Sequence, residues 1–255
     1  MSLIDIHAHL TFKSFKKDLN EVITRAKKNG LIAIIDSTID PRDFYKALEL
    51  AKKYRNYIFL SIGAAPQSVN KESFQKTLEI IENHANEAVA IGEIGLDYYW
   101  VKEYDKRLLT AKIFKELASI AIAKNKPIVI HNRDAFNDVI KILEDIGAGK
   151  VVFHAFMGDE TEAQKIISNG WYISIPTILA RSNKHQKIVK KIDLDYIMLE
   201  TDSPFLSPWP RSRNEPANIR ISAELISQIK KIPYEEVCEK IAKNSIDFFS
   251  LPIHT

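Results

Sequence analysis

Short apolar runs rich in β-branched residues alternate with amphipathic stretches along almost the whole chain of 255 residues. Such runs predict strands, and the stretches between them have the periodicity of helices. Eight predicted strands lie at residues 3–9, 31–38, 57–64, 88–96, 127–132, 150–155, 171–175 and 196–201. Nearly continuous apolar runs of this kind are typical of parallel strands that are buried on both faces.

A helix is predicted after each strand, and a further helix closes the chain. The predicted helices cover residues 18–29, 41–54, 71–85, 104–124, 135–146, 160–168, 184–191, 217–230 and 234–249. Eight β-then-α units in a chain of this length predict a (β/α)₈ TIM barrel of the α/β class. An open, doubly wound sheet shows the same alternation, but eight units of this size favour a closed barrel. No linker, low-complexity segment or change in charge divides the sequence, so we predict one domain over residues 1–255.

The composition narrows the class of protein further. A hydrophobic content of 45% suffices for a large core, yet no run approaches the roughly 18 consecutive apolar residues of a membrane helix. The N-terminus lacks a signal-peptide pattern, and a single cysteine, Cys238, excludes an internal disulfide. We therefore expect a cytoplasmic protein with no membrane association, in which Cys238 packs within a helix. The net charge of +3 is too small by itself to indicate binding of nucleic acid.

Two histidines, His7 and His9, lie two residues apart in the first predicted strand. Side chains at positions i and i+2 of a strand point to the same face. Potential ligands also stand at or just beyond the ends of later strands, namely Glu93, His131, His154 and Asp202. Because the C-terminal ends of all strands meet at one mouth of a barrel, we expect these six side chains to surround one site.

The chemistry of these six groups indicates a metal centre. Imidazole and carboxylate groups are suitable ligands for Zn²⁺, Mn²⁺ or Mg²⁺. Six groups exceed the needs of one tetrahedral ion, whereas two ions ~3.5–4 Å apart, bridged by a carboxylate, would use them all. We therefore predict two divalent cations with Glu93 as the bridge. Asp202 is predicted to bind one ion and to act as the general base that takes a proton from the attacking water.

Other titratable residues carry weaker signals. His84 and His185 lie on predicted helices and His254 lies in the tail, so we expect surface roles for all three. Asp5 has the same strand parity as the histidine pair that follows it. It either orients a ligand histidine or makes a simple buried polar contact.

Five motifs resemble those of the TatD family of metal-dependent hydrolases, within the wider amidohydrolase-like group of barrels. They are Asp5–Leu10 (DIHAHL), Gly92–Tyr98 (GEIGLDY), Pro127–Ala135 (PIVIHNRDA), His154–Gly158 (HAFMG) and Leu199–Pro204 (LETDSP). Together they span most of the chain in the order of that family. The resemblance implies a DNase-like phosphodiesterase that acts from the 3′ end of DNA with two divalent metals. It also implies the same metal-site residues: His7, His9, Glu93, His131, His154 and Asp202.

Two departures from the family pattern concern the substrate more than the metals. Ala65 stands where the family usually carries a histidine before the proline that ends the third strand. That histidine is not an expected metal ligand, so hydrolysis should survive while contacts to phosphate or substrate differ. The segment Arg211–Pro216 resembles the Arg/Asn-Pro signature of the family, but Ser212 replaces its usual glycine.

Substrate-binding residues are predicted in two places. Arg133 is placed to bind a phosphate with its planar guanidinium, unless it forms a salt bridge to Asp134 or to a neighbouring acidic residue of the loop. The loop after the eighth strand, residues 205–213, combines aromatic side chains with arginines, a mixture that suits base stacking together with phosphate binding. The predicted contacts in and after this loop are Arg211, Arg213 and Asn214. The alternative is a proline-stiffened loop that covers the barrel and buries Trp209.

These observations predict a divalent-metal-dependent deoxyribonuclease, similar to 3′–5′ exonucleases, that uses a metal-activated hydroxide against phosphorus. The expected partner is DNA, as a single strand or at its 3′ ends. An amidase or lactonase of the amidohydrolase type would direct the same chemistry at a carbonyl. Many such relatives bridge their metals with a modified lysine, whereas this chain offers Glu93. A binding protein that has lost catalysis is disfavoured because all six site residues are present.

Overall fold

A computed structural model describes residues 2–253, so the expectation for His254 lies outside the described residues. Its central feature is an eight-stranded sheet in which the strands follow one another in the order of the chain. All neighbouring strands are parallel. The strands are β1 (Leu3–Ala8), β2 (Leu31–Thr38), β3 (Ile58–Ile62), β4 (Ala88–Asp97), β5 (Ile128–Arg133), β6 (Val151–Phe153), β7 (Tyr172–Pro176) and β8 (Ile197–Glu200).

Helices connect the strands and close the chain. They are α1 (Leu19–Lys28), α2 (Phe44–Lys53), α3 (Lys71–His84), α4 (Tyr104–Ala123), α5 (Phe136–Asp145), α6 (Glu160–Ser168), α7 (Asn183–Lys191), α8 (Ile219–Lys230) and α9 (Tyr234–Phe249). Local signals explain several helix starts, since Asn70 and Asp159 each accept the backbone N–H three residues further on. The predicted strands and helices are confirmed, with ends that agree to within three residues.

Residues that follow β8 close the sheet into a barrel. Beyond β8 the chain continues alongside β1, where Ser203 forms a parallel bridge with Ala8. The backbone N–H of Asp202 donates to the carbonyl of His7 at 2.9 Å, and that of His9 donates to the carbonyl of Ser203 at 2.8 Å. The predicted (β/α)₈ barrel is confirmed, and its closure brings the end of the last strand next to the histidine pair of the first.

Apolar side chains from six strands form one cluster with the end of α9. They are Ile4, Ile6, Ala33, Ile35, Ala90, Val129, Val152 and Met198, packed against Phe248 and Phe249. Two residues after three members of this cluster, Val129, Val152 and Met198, come His131, His154 and Glu200. Side chains two residues apart along a strand point to the same face, so these three lie on the face of the cluster. The polar centre therefore sits directly on an apolar layer, at the C-terminal ends of the strands.

The pairing of β1 with β2 shifts by one residue between Asp5 and Ala8. The pairing is therefore irregular between Asp5 and the histidine pair, and the Asp5 carboxylate accepts the backbone N–H of His7 at 3.3 Å. The Asp5 carboxylate accepts the backbone N–H of Thr201 at 2.9 Å and its hydroxyl at 2.5 Å. Of the two alternatives for Asp5, the structure shows the buried polar contact, and burial raises the pKa of this carboxyl to about 8.

The outer helices agree with most of the expectations for them. None of the helices within residues 2–253 combines the length and the hydropathy needed to cross a membrane. Cys238 is buried in α9, where it packs as predicted. His84, at the end of α3, is half-buried and lies 3.3 Å from the carboxylate of Glu87.

The expectation that His185 lies at the surface is wrong. His185, Ile188 and Val189 are the buried residues of α7, and their spacing places them on one helix face. The His185 ring is held by a 2.7 Å hydrogen bond between Nδ1 and the hydroxyl of Ser182. The helical spacing of His185 relative to its apolar neighbours was the signal that pointed to burial.

Gly95 allows β4 and β5 to approach closely beside the polar centre. Its φ is +149°, and a Cβ at this position would overlap the carbonyl oxygen of His131. Gly95→Ala should therefore lower the free energy of unfolding by about 2–5 kcal/mol through backbone strain and overpacking. Urea unfolding followed by circular dichroism measures the change. Gly149→Ala is the matched control, because a Cβ there meets nothing within 4 Å; equal stability of the two variants contradicts the prediction.

Candidate metal centre

Glu93 lies in the middle of a group of histidines at the C-terminal mouth of the barrel. Its Oε2 is 3.0 Å from Nε2 of His7 and 3.2 Å from Nε2 of His154. Its Oε1 is 3.4 Å from Nδ1 of His131. One buried carboxylate therefore contacts histidines from three other strands.

Asp202 and His9 complete the group. Oδ1 of Asp202 is 3.2 Å from Nε2 of His9 and 3.9 Å from Nε2 of His7. Imidazole nitrogens also face each other directly, at 3.3 Å between His7 and His9 and at 3.2 Å between His131 and His154. The structure thus brings all six predicted ligands together around one space.

A β-bulge directs Glu93 into this space. In the pairing of β4 with β5, Gly92 is opposite Val129 and Ile94 is opposite Ile130. Glu93 is therefore an extra residue with no partner of its own on β5. A bulge of this kind bends the strand and re-aims the side chain it carries, which here points the carboxylate at the histidines.

The outer nitrogens of the two β1 histidines face oxygens of one residue of β2. Nδ1 of His7 lies 3.1 Å from the hydroxyl of Ser37, and Nδ1 of His9 lies 2.9 Å from its carbonyl oxygen. Because the outer nitrogen of each ring is engaged in this way, Nε2 of each ring is oriented towards the centre.

The outer nitrogens of the other two histidines face carboxylates. Nε2 of His131 lies 3.0 Å from Oδ2 of Asp97. Nδ1 of His154 lies 3.7 Å from Oε1 of Glu200, which accepts the backbone N–H of Ala155 at 2.7 Å. Both carboxylates are buried.

The sequence interpretation missed Ser37, Asp97 and Glu200. A signal existed for the two carboxylates, because Asp97 follows Glu93 by four residues and Glu200 precedes Asp202 by two. Even spacings of this kind keep side chains on one face of a strand. Ser37 has no such signal, since its contacts depend on the pairing of β1 with β2.

The charges of the centre shift the pKa values of its members. Burial raises the pKa of Glu93, but the surrounding histidines hold it well below its usual value. Burial lowers the pKa of His131, but hydrogen bonds to Asp97 and Glu93 raise it to about 10. Burial likewise lowers the pKa of His9, whereas Asp202 raises it to about 9. The carboxylates therefore create a negative potential that attracts positive charge into the centre.

The donor atoms fit divalent cations. Two imidazole nitrogens at 3.2–3.3 Å repel each other through their lone pairs unless a proton or a cation lies between them. Metal binding replaces such protons and uses the same nitrogen and carboxylate atoms. Three groups have all their ligand atoms within 4.8 Å of one another: His7 with His9 and Glu93, Glu93 with His131 and His154, and His7 with His154 and Asp202.

A cleft with a volume of about 1110 Å³ opens onto three of the six candidate ligands. Arg133 lines it, with its guanidinium carbon 3.7 Å from the ring centre of Tyr99 and 5.9 Å from that of Trp100. All three side chains are partly exposed to solvent. The arginine is therefore stacked on aromatic rings in place of the alternative salt bridge to Asp134.

Serine hydrogen bonds hold the loop after β8. The hydroxyl of Ser207 lies 2.7 Å from that of Ser212 and accepts the backbone N–H of Trp209 at 3.2 Å. Trp209 is 54% exposed, so the alternative in which this loop buries it is wrong. Ser212 supplies side-chain hydrogen bonds that the usual glycine of the family lacks.

Two of the predicted substrate contacts have very different environments. Arg211 is exposed, with a left-handed φ of +59°. Asn214 is fully buried, and its amide nitrogen donates to the hydroxyl of Thr177 at 2.8 Å and to the carbonyl of Thr201 at 2.7 Å. Its amide oxygen accepts the backbone N–H of Glu215 at 3.0 Å. Asn214 thus anchors the loop to the barrel and is not brought together with the cleft.

Arg213 is engaged by acidic residues within the protein. It donates to both carboxylate oxygens of Asp18, at 2.7 and 2.6 Å, and lies 4.8 Å from the ring centre of Phe15. Beside it, Arg25 donates to both oxygens of Glu215 at 2.8 and 2.7 Å. These paired charges link the loop to α1.

Asp18→Asn should lower the free energy of unfolding by about 1 kcal/mol at neutral pH, because the ion pair is partly exposed. Arg213 holds the pKa of Asp18 below its ordinary value of 3.8. A lowered folded-state pKa stabilises the fold above the unfolded-state value, and this contribution is lost as the pH falls through the folded-state value. Denaturant unfolding at pH 7 and at a series of lower pH values measures it. A stability difference from the wild type that stays constant as the pH falls contradicts the prediction.

Ala65 occupies a buried turn between β3 and α3. Its carbonyl accepts the backbone N–H groups of Ser68 and Val69 at 3.1 and 3.0 Å. A methyl group at this position offers no hydrogen bond to a substrate. The expected change in substrate contacts relative to the family therefore stays a prediction.

A (β/α)₈ barrel that gathers four histidines and two carboxylates at the C-terminal ends of its strands has the architecture of a metal-dependent hydrolase. The chain belongs to the TatD related DNase family. The model of that family matches residues 4–250, which confirms the resemblance seen in the motifs.

Known proteins similar to this chain agree with that assignment. Deoxyribonuclease TATDN3 of Homo sapiens is 36% identical over 265 residues, which cover 98% of this chain and 95% of the human protein. The metal-dependent hydrolase MJ1582 of Methanocaldococcus jannaschii is 39% identical over 248 residues, 96% of each chain. The crystal structure of a TatD family hydrolase from Entamoeba histolytica superposes with a TM-score of 0.87 at 26% identity, covering 96% of this chain and 97% of that one.

More distant barrels share the fold alone. A 5-methylcytosine deaminase from Klebsiella pneumoniae superposes with a TM-score of 0.65 at 14% identity, over 94% of this chain and 65% of the deaminase. At this level of identity the likeness shows the fold and carries no information about the reaction.

Proposed function

We propose that this protein is a deoxyribonuclease that hydrolyses phosphodiester bonds at the 3′ ends of single-stranded DNA with two divalent cations. The main support for the proposal is the position of Glu93. One carboxylate oxygen contacts His7 and His154, and the other contacts His131. A carboxylate so placed can bridge two cations, an arrangement suited to in-line displacement at phosphorus. Family membership and the human relative named as a deoxyribonuclease support DNA as the substrate.

Two overlapping groups of ligands would hold the two cations. They are His7 with His9 and Glu93, and Glu93 with His131 and His154. Asp202, 3.2 Å from His9, is placed to join the first group. Zn²⁺, Mn²⁺ and Mg²⁺ all accept imidazole or carboxylate ligands, so reconstitution should compare the three.

In this proposal Asp202 takes the proton from the attacking water. When bound, the cations supply a nucleophile from water near neutral pH and neutralise charge on the phosphoryl oxygens. The Asp202 side chain is 13% exposed, so part of its carboxylate meets the cleft while Oδ1 faces His9. Its backbone N–H is bonded to the carbonyl of His7, which keeps the carboxylate at the centre. A carboxylate with this access can act as a general base.

The charges of the cleft favour a short single strand over a long duplex. Two basic side chains line the cleft beside several acidic ones: Arg133 and Lys184, with Asp134, Asp138, Asp159 and Glu162. The release of counterions is the main source of affinity for long nucleic acids, and a surface of mixed charge releases few of them. The exposed stack of Arg133 on Tyr99 can instead hold one phosphate or base next to the centre.

Arg133→Lys should raise KM for single-stranded DNA about tenfold with little change in kcat, because lysine lacks the planar donor fork and the ring stacking. Steady-state kinetics with a short labelled oligonucleotide measures both constants. Arg220→Lys is the matched control, since Arg220 is exposed on α8 and pairs with Glu224. An unchanged KM in the Arg133 variant shows that this side chain does not bind the substrate.

The direct test of the function compares matched substrates of the metal-reconstituted protein. We expect a 5′-labelled single strand to shorten stepwise from its 3′ end, and a circular single strand of the same sequence to stay intact. Cleavage of the circle, or shortening from the 5′ end, contradicts the proposed direction.

Parallel assays separate the rival functions. Turnover of lactones or dipeptides without cleavage of DNA contradicts the proposal and supports the amidohydrolase alternative. DNA binding without cleavage, unaffected by His131→Ala, supports a binding protein. The cytoplasmic location is part of this proposal, and cell fractionation with an antibody to the protein checks it.

A further inference from the structure

We propose that Asp97 is a positioning residue that sets the tautomer of His131 and thereby determines how tightly one of the two ion positions binds metal. The inference rests on the metal centre of the proposed function and is independent of DNA as the substrate. It goes beyond the six candidate ligands, because Asp97 contacts the centre only through His131.

Both oxygens of Asp97 are used, each by a different partner. Oδ1 accepts the backbone N–H of Trp100 at 2.9 Å, and Oδ2 lies 3.0 Å from Nε2 of His131. The Asp97 residue is 1% exposed, so water does not compete for these contacts. Because an ionised carboxylate only accepts hydrogen bonds, Nε2 of His131 carries a proton.

That proton leaves the opposite ring nitrogen of His131 available as a ligand. Nδ1 faces the centre, 3.4 Å from Oε1 of Glu93 and 3.2 Å from Nε2 of His154. A neutral imidazole with its proton on Nε2 presents a lone pair on Nδ1. Asp97 therefore selects the tautomer whose lone pair points at the ion position.

The other histidines of the centre have weaker partners on their outer nitrogens. His7 and His9 face the hydroxyl and the carbonyl of Ser37, which are neutral. His154 is 3.7 Å from Glu200, which is beyond hydrogen-bond distance. His131 is thus the ligand whose orientation and basicity depend most on a single charged side chain.

Asparagine at position 97 is expected to reverse this selection. Its amide oxygen would keep the hydrogen bond from the N–H of Trp100, so its NH₂ group would face Nε2 of His131. An NH₂ group donates, which forces the ring proton onto Nδ1 and blocks the lone pair that faces the centre. Alanine removes both hydrogen bonds but leaves Nε2 free to keep its proton. Asp97→Asn, although nearly isosteric with the wild type, should therefore weaken metal binding more than Asp97→Ala.

The experiment measures Zn²⁺ affinity by competition with a chromophoric chelator, in the wild type and in Asp97→Asn, Asp97→Ala and Asp18→Asn. We expect Asp97→Asn to weaken one of two bound ions by about 10–100-fold and Asp97→Ala to weaken it less. Asp18→Asn is the matched control, because it loses an ion pair that lies away from the histidines and should bind zinc like the wild type. In a His131→Ala background, Asp97→Asn should have no further effect.

Several outcomes overturn the proposal. The first is an unchanged zinc affinity in Asp97→Asn, and the second is a larger loss of zinc affinity in Asp97→Ala than in Asp97→Asn. The third is a loss of zinc affinity on Asp97→Asn that is equal in the wild type and in the His131→Ala background. A long-range ¹H–¹⁵N correlation spectrum of the zinc-loaded wild type gives a test that needs no variant. A proton on Nε2 of His131 supports the proposal, and a proton on Nδ1 contradicts it.

The design separates this proposal from the proposed function. If the wild type binds none of Zn²⁺, Mn²⁺ and Mg²⁺, the metal centre itself is wrong. If the wild type binds two ions and Asp97→Asn binds them equally well, only the role of Asp97 is wrong.

Discussion

Replacing Glu93 by glutamine is expected to reduce DNA hydrolysis by at least about 10³-fold, because the amide removes the charge that would hold both cations of the proposed centre. Glu93 is the only carboxylate among the six candidate ligands that contacts His7, His131 and His154. Its loss should also lower the number of bound cations. Single-turnover cleavage of a labelled strand, together with metal analysis of the purified protein, measures both effects.

A matched substitution separates this effect from a general loss of charge. Glu224→Gln changes an exposed glutamate of α8 that pairs with Arg220 and should leave hydrolysis unchanged. The interpretation of Glu93 as the bridge fails if Glu93→Gln retains two ions and more than a tenth of wild-type activity.

Asp202→Asn should lower kcat by about 10²–10⁴-fold while weakening metal binding much less, because it removes the proposed general base. Asparagine is the suitable replacement, since Asp202 has a left-handed φ of +51° that asparagine tolerates better than most residues. Its backbone N–H can keep its bond to the carbonyl of His7. The fold and the site geometry should therefore be preserved.

Kinetics and metal titration of the same Asp202→Asn preparation distinguish the two roles of this residue. A fall in kcat at saturating metal supports a proton-accepting role. Full activity at saturating metal, with weaker metal affinity, shows that Asp202 is only a ligand. Melting temperatures of the variant and the wild type should agree to within a few degrees, which excludes misfolding as the cause.

The strands and helices could be predicted because their signals are local. The apolar run of β2 and the amphipathic stretch of α1 act through neighbouring residues, and both lie within one residue of their predicted ends. The convergence of the six candidate ligands followed from one further rule, that all C-terminal strand ends of a barrel meet at one mouth. Their assignment as metal ligands stays a prediction that the metal analyses above test.

Features that depend on contacts between distant segments could not be predicted in the same way. The pairing of β1 is irregular beyond Asp5, and its carboxylate binds Thr201 of the last strand as well as the backbone N–H of His7. Trp209 is exposed because hydrogen bonds between Ser207 and Ser212 hold its loop. Each outcome depends on which segment lies beside which, and spacing along the chain carries no information about that.

The sequence by itself determined the barrel and the identity of the groups at its mouth, because period-2 and period-3.6 patterns act over a few residues. Only the tertiary structure decided how those groups meet. The bulge at Glu93 directs its carboxylate to the histidines, and the closure of β8 onto β1 does the same for Asp202. The pairing of β4 with β5 places Asp97 beside the outer nitrogen of His131. Strand pairing and side-chain contact are long-range properties, and they exist only once the barrel has closed.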